Sequence, residues 1–238
     1  MKNLISLAWF ILIALTSQAQ NFTQYKDGKG KFGFKDSHGN IVIPAKYDEI
    51  DKFNSDGFAV LWLGDKAGLI NKNGEIVIPI KYKFIDDKIN DGLIEAKLND
   101  IQDGNGILDT GGRTIVPFIY ERCAVLSENF VLIVKNAKQG IWYTGLKPQN
   151  VDDKTRTMQH PGILIQIRYN GVDLWGDYLI RVELSPKDYS GSKYGLFDLK
   201  GNKILACNND YIGEFKNGLA EIKEGENKYY IDTQGVKR

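Results

Sequence analysis

The sequence predicts an all-β chain of about six repeated units of roughly 35 residues, packed as a propeller-like ring, with an open β-solenoid as the alternative. Three observations predict it. Glycines 33, 68, 106, 140 and 195 recur at intervals of 35, 38, 34 and 55 residues, and Tyr229 holds the same slot 34 residues after Gly195. Three positions after every slot but Gly140 stands Asp or Asn, and Gly follows three further on. In the first three copies an apolar triplet, a proline and a tyrosine come next.

Taken in order, the first element is not part of the repeat. MKNLISLAWFILIALTSQAQ has a basic start at Lys2, an apolar run over Leu4–Leu15, and Ser17 and Ala19 placed for cleavage after Ala19. That pattern predicts a signal peptide over residues 1–19, and the run is short for a bilayer span. The mature chain, residues 20–238, is then an exported, soluble single domain, periplasmic or secreted.

Each unit opens on a hairpin. Asp36 and Gly39, Asn71 and Gly74, Asp109 and Gly112, Asp198 and Gly201, and Asp232 and Gly235 share one spacing. Asp or Asn begins a turn by accepting backbone N–H bonds, and Gly supplies the positive φ that leads out of it. The flanks, Phe32–Phe34 and Ile41–Ile43 in the first copy, are β-prone. Pro44, Pro79 and Pro117 are read as ending the second strand, and Tyr47, Tyr82 and Tyr120 as aromatics packed between units. A second strand pair follows near Phe53–Leu63, Ile89–Lys97 and Phe215–Lys223. About four short strands per unit cannot bury both of their faces alone, so neighbours must stack. A recurring Asp at a hairpin corner is turn chemistry, and His38 is a turn-surface residue.

The chain stops after a half unit, and the early segment NFTQYKDG matches the last strand of a unit such as GFAVLWLGD. A ring closed by that N-terminal strand follows as the expectation.

The passages GFKDSHGNIVIPAKYDEI and FKNGLAEIK resemble the WG-repeat family of bacterial proteins, over nearly all of the mature chain. The resemblance implies repeat architecture and use in protein interaction, and it carries no catalytic motif. The signature Trp before the glycine is replaced by Phe32, Ala67, Asn105, Gln139 and Tyr194.

Composition excludes some partners. Basic and acidic residues number 31 and 30, with no block of like charge, so nucleic acid and anionic membrane have no electrostatic footprint. Cys123 and Cys207 occupy slots that are apolar in sister units, which reads as burial; a disulfide is the alternative. Two histidines, no metal-ligand spacing and no nucleophile motif argue against catalysis, cofactor and metal. A carbohydrate-active enzyme built from carboxylates, or a purely structural envelope protein, are the other readings.

The long interval makes an enlarged unit, about residues 145–192, and the functional expectation falls there. It runs through a polar stretch with Asp152, Asp153, Lys154 and Arg156 to His160, a strand-like ILIQIRY, a turn at Asn170-Gly171, and Trp175. Arg156, His160, Tyr169 and Trp175 are the candidate binding ledge for a protein, peptide or surface glycan. Trp62 and Trp142 lie in strands and read as packing residues.

Overall fold

The computed structural model describes residues 22–100, 104–146, 161–186 and 191–238, and the signal-peptide expectation lies outside them. The described chain is all β, in six small antiparallel sheets. The first joins β1 (Thr23–Lys26), β2 (Phe32–Lys35) and β3 (Ile41–Tyr47); the second joins β4 (Glu49–Ile50), β5 (Phe58–Leu63), β6 (Lys66–Asn71) and β7 (Ile76–Tyr82). The third holds β8 (Phe84–Ile85), β9 (Leu93–Lys97), β10 (Asn105–Asp109) and β11 (Thr114–Tyr120). The fourth holds β12 (Arg122–Ser127), β13 (Phe130–Lys135), β14 (Lys138–Tyr143) and β15 (Gly162–Tyr169). The fifth holds β16 (Gly171–Trp175), β17 (Leu179–Leu184), β18 (Lys193–Asp198) and β19 (Lys203–Asn209), and the sixth β20 (Tyr211–Ile212), β21 (Leu219–Glu224) and β22 (Asn227–Asp232).

The sheets are offset by half a period from the sequence repeat. The glycine-led hairpin supplies the third and fourth strands of one sheet, and a single residue later the chain enters the next sheet. β1 therefore takes the place that the second strand holds in the four-stranded sheets and pairs with β2, from Thr23 opposite Lys35 to Lys26 opposite Phe32. This corrects the expected closure, because β1 does not extend the last sheet. Five apolar clusters join consecutive sheets. Among the described residues no strand pair and no cluster joins the first sheet to the sixth.

The turns form as their residues dictate. Asp109 Oδ1 accepts the N–H groups of Gly111 and Arg113 at 3.0 and 2.9 Å, and Gly112 has φ +80°. Asp36, Asn71, Asp198 and Asp232 repeat this bond pattern, with positive φ at Gly39, Gly74, Gly201 and Gly235. The prolines are placed differently from the expectation. Pro44, Pro79 and Pro117 sit inside β3, β7 and β11, which run on to the buried tyrosines. These are edge strands, where a missing N–H costs no ladder bond.

Close approach explains the repeated glycine. A β-bulge carries each fourth strand across the slot. A Cβ on Gly140, Gly106, Gly68 or Gly195 would lie 2.5, 2.7, 2.8 or 3.0 Å from the carbonyl oxygen of Ile165, Val116, Ile78 or Leu205. On Gly33 it would lie closer still to that of Ile43. Among the described residues the sixth sheet has three strands, and there the slot is Tyr229.

The tyrosine slot is also structural. Tyr47, Tyr82, Tyr120 and Tyr169 are buried opposite Phe32, Ala67, Asn105 and Gln139. Where the family Trp is replaced by an amide, that amide bonds the chain entering the next sheet: Asn105 Nδ2 donates to the Glu121 carbonyl at 2.7 Å, and Gln139 Oε1 accepts the Val172 N–H at 2.9 Å. In the fifth sheet the order reverses, and buried Asn209, opposite Tyr194, donates to the Tyr194 carbonyl at 2.9 Å. Cys123 and Cys207 are both free, the first buried and the second half-buried.

The enlarged unit is a complete period with two lengthened connections, one between β14 and β15 and one between β17 and β18. ILIQIRY is β15, as expected. The chain turns at Asn170, the single residue between β15 and β16, as it passes into the next sheet.

Candidate functional site

Up-and-down order gives the array two unlike ends. The connections that open each sheet and the Asp-x-x-Gly turns share one end, called here the Asx-turn end. The second hairpin turn of each sheet and the passage to the next sheet share the other, the crossover end.

The crossover end is laced with polar bonds. Asp48 accepts the Gly64 N–H at 2.9 Å and pairs with Lys31; Asp210 accepts the Gly225 N–H at 2.7 Å and pairs with Lys193. These lysines hold the Asp48 and Asp210 carboxyls below the usual range. Glu121 accepts the Asn136 N–H at 2.7 Å, and Asn170 accepts the Ser185 N–H at 3.0 Å. Exposed Leu63, Phe84, Ile119 and Tyr211 stand among these polar groups.

The Asx-turn end carries, beside its capped turns, a larger set of exposed apolar side chains. Ile41, Ile76 and Ile163 hold one slot near the start of β3, β7 and β15, six residues before the buried tyrosine, and are 59, 40 and 43% exposed. Leu126, Leu219 and Val236 are exposed at the same end, and so is Tyr178, at 51%, on the turn between β16 and β17.

Tyr178 crowns the best-built part of this surface. Its ring meets Phe215 edge-on, with centroids 6.4 Å apart, across the seam of the fifth and sixth sheets. Gly176, at φ +61°, lets the turn lie against both rings. Beside it the Arg181 guanidinium stacks 3.5 Å from the centre of the Trp175 ring and forks onto Asp173 at 3.2 and 2.7 Å. The Trp175 indole N–H donates to the Gly213 carbonyl at 3.1 Å, tying the two sheets together. The result is an exposed aromatic set on a base held by stacking, an ion pair and a hydrogen bond between sheets.

Of the four residues of the predicted ledge, the structure describes two, Tyr169 and Trp175. Arg156 and His160 lie outside the described residues, as do Asp152 and Asp153. Tyr169 is 2% exposed in the core between the fourth and fifth sheets, so it offers no docking surface. Trp175 is half-buried and serves the seam. Trp142 packs beside Tyr120, and its buried indole nitrogen has no hydrogen-bond partner among the described residues. Tyr178 and Phe215 were not singled out from sequence as contact residues; the Trp-Gly-Asp-Tyr turn was the available signal. Among the described residues no group of three His, Cys, Asp or Glu could hold a metal, and no helix is long and apolar enough to cross a membrane.

A family profile for the WG containing repeat matches residues 32–66, 68–100, 106–138 and 194–229, more than half of the chain. The chain belongs to the WG-repeat family. The matches leave out residues 139–193, where the strand pattern of the repeat nevertheless continues. No curated protein sequence matches the chain. Among solved structures, a crystal structure of the eukaryotic initiation factor is 9% identical with a TM-score of 0.40, and covers 92% of this chain and 62% of its own. One of Kluyvelomyces marxianus Hsv2 is 10% identical with a TM-score of 0.34, covering 78 and 59%. This chain spans about three fifths of the length of these two solved chains.

Proposed function

We propose that this WG-repeat chain is an exported, non-catalytic interaction module that holds a protein or peptide partner on its Asx-turn end, centred on Tyr178 and Phe215. The observation that carries the reading is the asymmetry of the two ends. Three isoleucines in one repeated slot and an aromatic pair across a hydrogen-bonded seam stand exposed at the Asx-turn end, whereas the exposed apolar side chains of the crossover end come from separate sheets and stand among ion pairs. Rigid aromatics supply contact area at low ordering cost, which is why they recur at interaction hot spots.

The test is a pull-down from envelope and culture-medium fractions with the mature chain and a Tyr178→Ala variant. A partner held by the first and lost by the second, with both folded by circular dichroism, supports the reading. Retention by both removes Tyr178 from the interface. A partner released by glycosidase treatment assigns the surface to a glycan instead.

A further inference from the structure

The chain holds four Asn-Gly pairs, beginning at Asn73, Asn105, Asn170 and Asn217. In such a pair the glycine main-chain nitrogen, with no Cβ beside it to crowd the approach, can attack the asparagine side-chain amide carbon. The amide nitrogen leaves as ammonia and a succinimide closes. Water then opens the ring to aspartate or isoaspartate, with no oxidant or reductant involved. The fold treats the four pairs unequally. The Asn105 amide donates to the Tyr120 and Glu121 carbonyls at 3.3 and 2.7 Å. Asn170 Oδ1 accepts the Ser185 N–H and the Lys138 ammonium, each at 3.0 Å. At Asn73 the attacking nitrogen is engaged, since the Gly74 N–H donates to the Asn71 carbonyl at 3.0 Å.

We propose that Asn217 is the deamidation site of the folded protein. Among the described residues neither its side-chain amide nor the Gly218 N–H has a hydrogen-bond partner. Both residues are exposed, and the space beside Gly218 is open. Ring closure requires the turn to rotate about Asn217. The backbone bonds that oppose this are the pair between Lys216 and Leu219, at 2.8 and 3.1 Å. The third sheet shows that the turn tolerates the aspartate product. There Asp91-Gly92 forms the same two-residue turn, with φ +53° and +77° against +52° and +78° at Asn217 and Gly218. Asn90 and Leu93 close it as Lys216 and Leu219 do. The aspartate form therefore keeps the fold. Asn217 stands two residues after Phe215, so, on the reading of the Asx-turn end as the docking surface, conversion adds a negative charge to that surface.

The test incubates the mature chain, native and in denaturant, in mildly alkaline heavy-oxygen water, which marks each new carboxylate. Peptide mass spectrometry reads the four sites. In the native chain Asn217 should convert at least about tenfold faster than Asn105 or Asn170, which must first shed their hydrogen bonds, and faster than Asn73. In denaturant the four rates should converge. Native conversion at another of the four sites as fast as at Asn217, or a lead for Asn217 that persists in denaturant, would overturn the proposal. Asn217→Asp should keep the native circular dichroism, and its loss would contradict the tolerated product. In the partner pull-down, Asn217→Asp should shift the salt concentration that releases the partner. An unchanged release removes the effect on docking, and no capture by wild type removes the docking reading itself. The mass result decides the modification in either case.

Discussion

Substituting alanine for the slot glycines tests the physical origin of the repeat. In Gly140→Ala the new Cβ falls 2.5 Å from the Ile165 carbonyl oxygen and 3.1 Å from the Ile167 backbone nitrogen, so strand β15 itself must move. Overpacking of this kind costs about 1–3 kcal/mol, and the lower chain entropy of alanine in the unfolded state returns about 0.4–1. The net loss then spans about 0–2.6 kcal/mol, about 1.3 at the midpoints, a Tm decrease of roughly 3–5 °C for a chain of this size. The ranking is the sharper claim. Gly33 is the tightest slot; Gly140, Gly106 and Gly68 follow, and Gly195 is the loosest at 3.0 Å. Urea unfolding of the five variants by circular dichroism, compared at constant m, should rank them in that order. Gly195→Ala unfolding as easily as Gly33→Ala, or all five lying within about 0.5 kcal/mol of wild type, would refute close approach as the reason for the glycine.

Other expectations follow from single contacts. Asp109→Ala removes the acceptor of two turn N–H bonds and should cost about 1 kcal/mol by the same unfolding assay, whereas exposed His38→Ala should be neutral. Burial pushes the Cys123 thiol up to about 12, so a thiol reagent at pH 8 should label it only when denaturant is added. Burial also raises the Glu95 carboxyl above its ordinary value, although it accepts the Val125 N–H. The folded state then binds its proton more tightly than the unfolded one, so this group lowers stability as pH rises through the interval between the two values. Glu95→Gln should therefore be the more stable protein at pH 7, with the gain shrinking below the unfolded carboxyl value. The opposite sign in paired melts would contradict the burial argument.

Much of the tile was legible because its chemistry is local. Asp-x-x-Gly encodes a turn within four residues, and five copies made the period plain. What failed was non-local. Proline reads as a strand end until one knows that β3, β7 and β11 are sheet edges. The half-period offset, which assigns β1 to its own sheet, depends on which neighbour a strand pairs with. Tyr169 holds the same slot as Tyr47, but the lengthened connection before β15 hid the match and made a core residue look like a ledge. Tyr178 is exposed because of how the fifth sheet stacks on the sixth, which no spacing announces. The slot glycine was visible as a repeat, while its cause, a carbonyl crossing overhead, became visible only in three dimensions.

The most direct test of the interaction reading is to place photo-crosslinkable benzoylphenylalanine at position 178 in one mature chain and at Phe84, an exposed aromatic of the crossover end, in another. Both are irradiated with envelope fractions. The account predicts one discrete adduct from position 178, competed away by excess unmodified protein, and none from position 84. Adducts of equal yield at both positions, or none at 178, would contradict it.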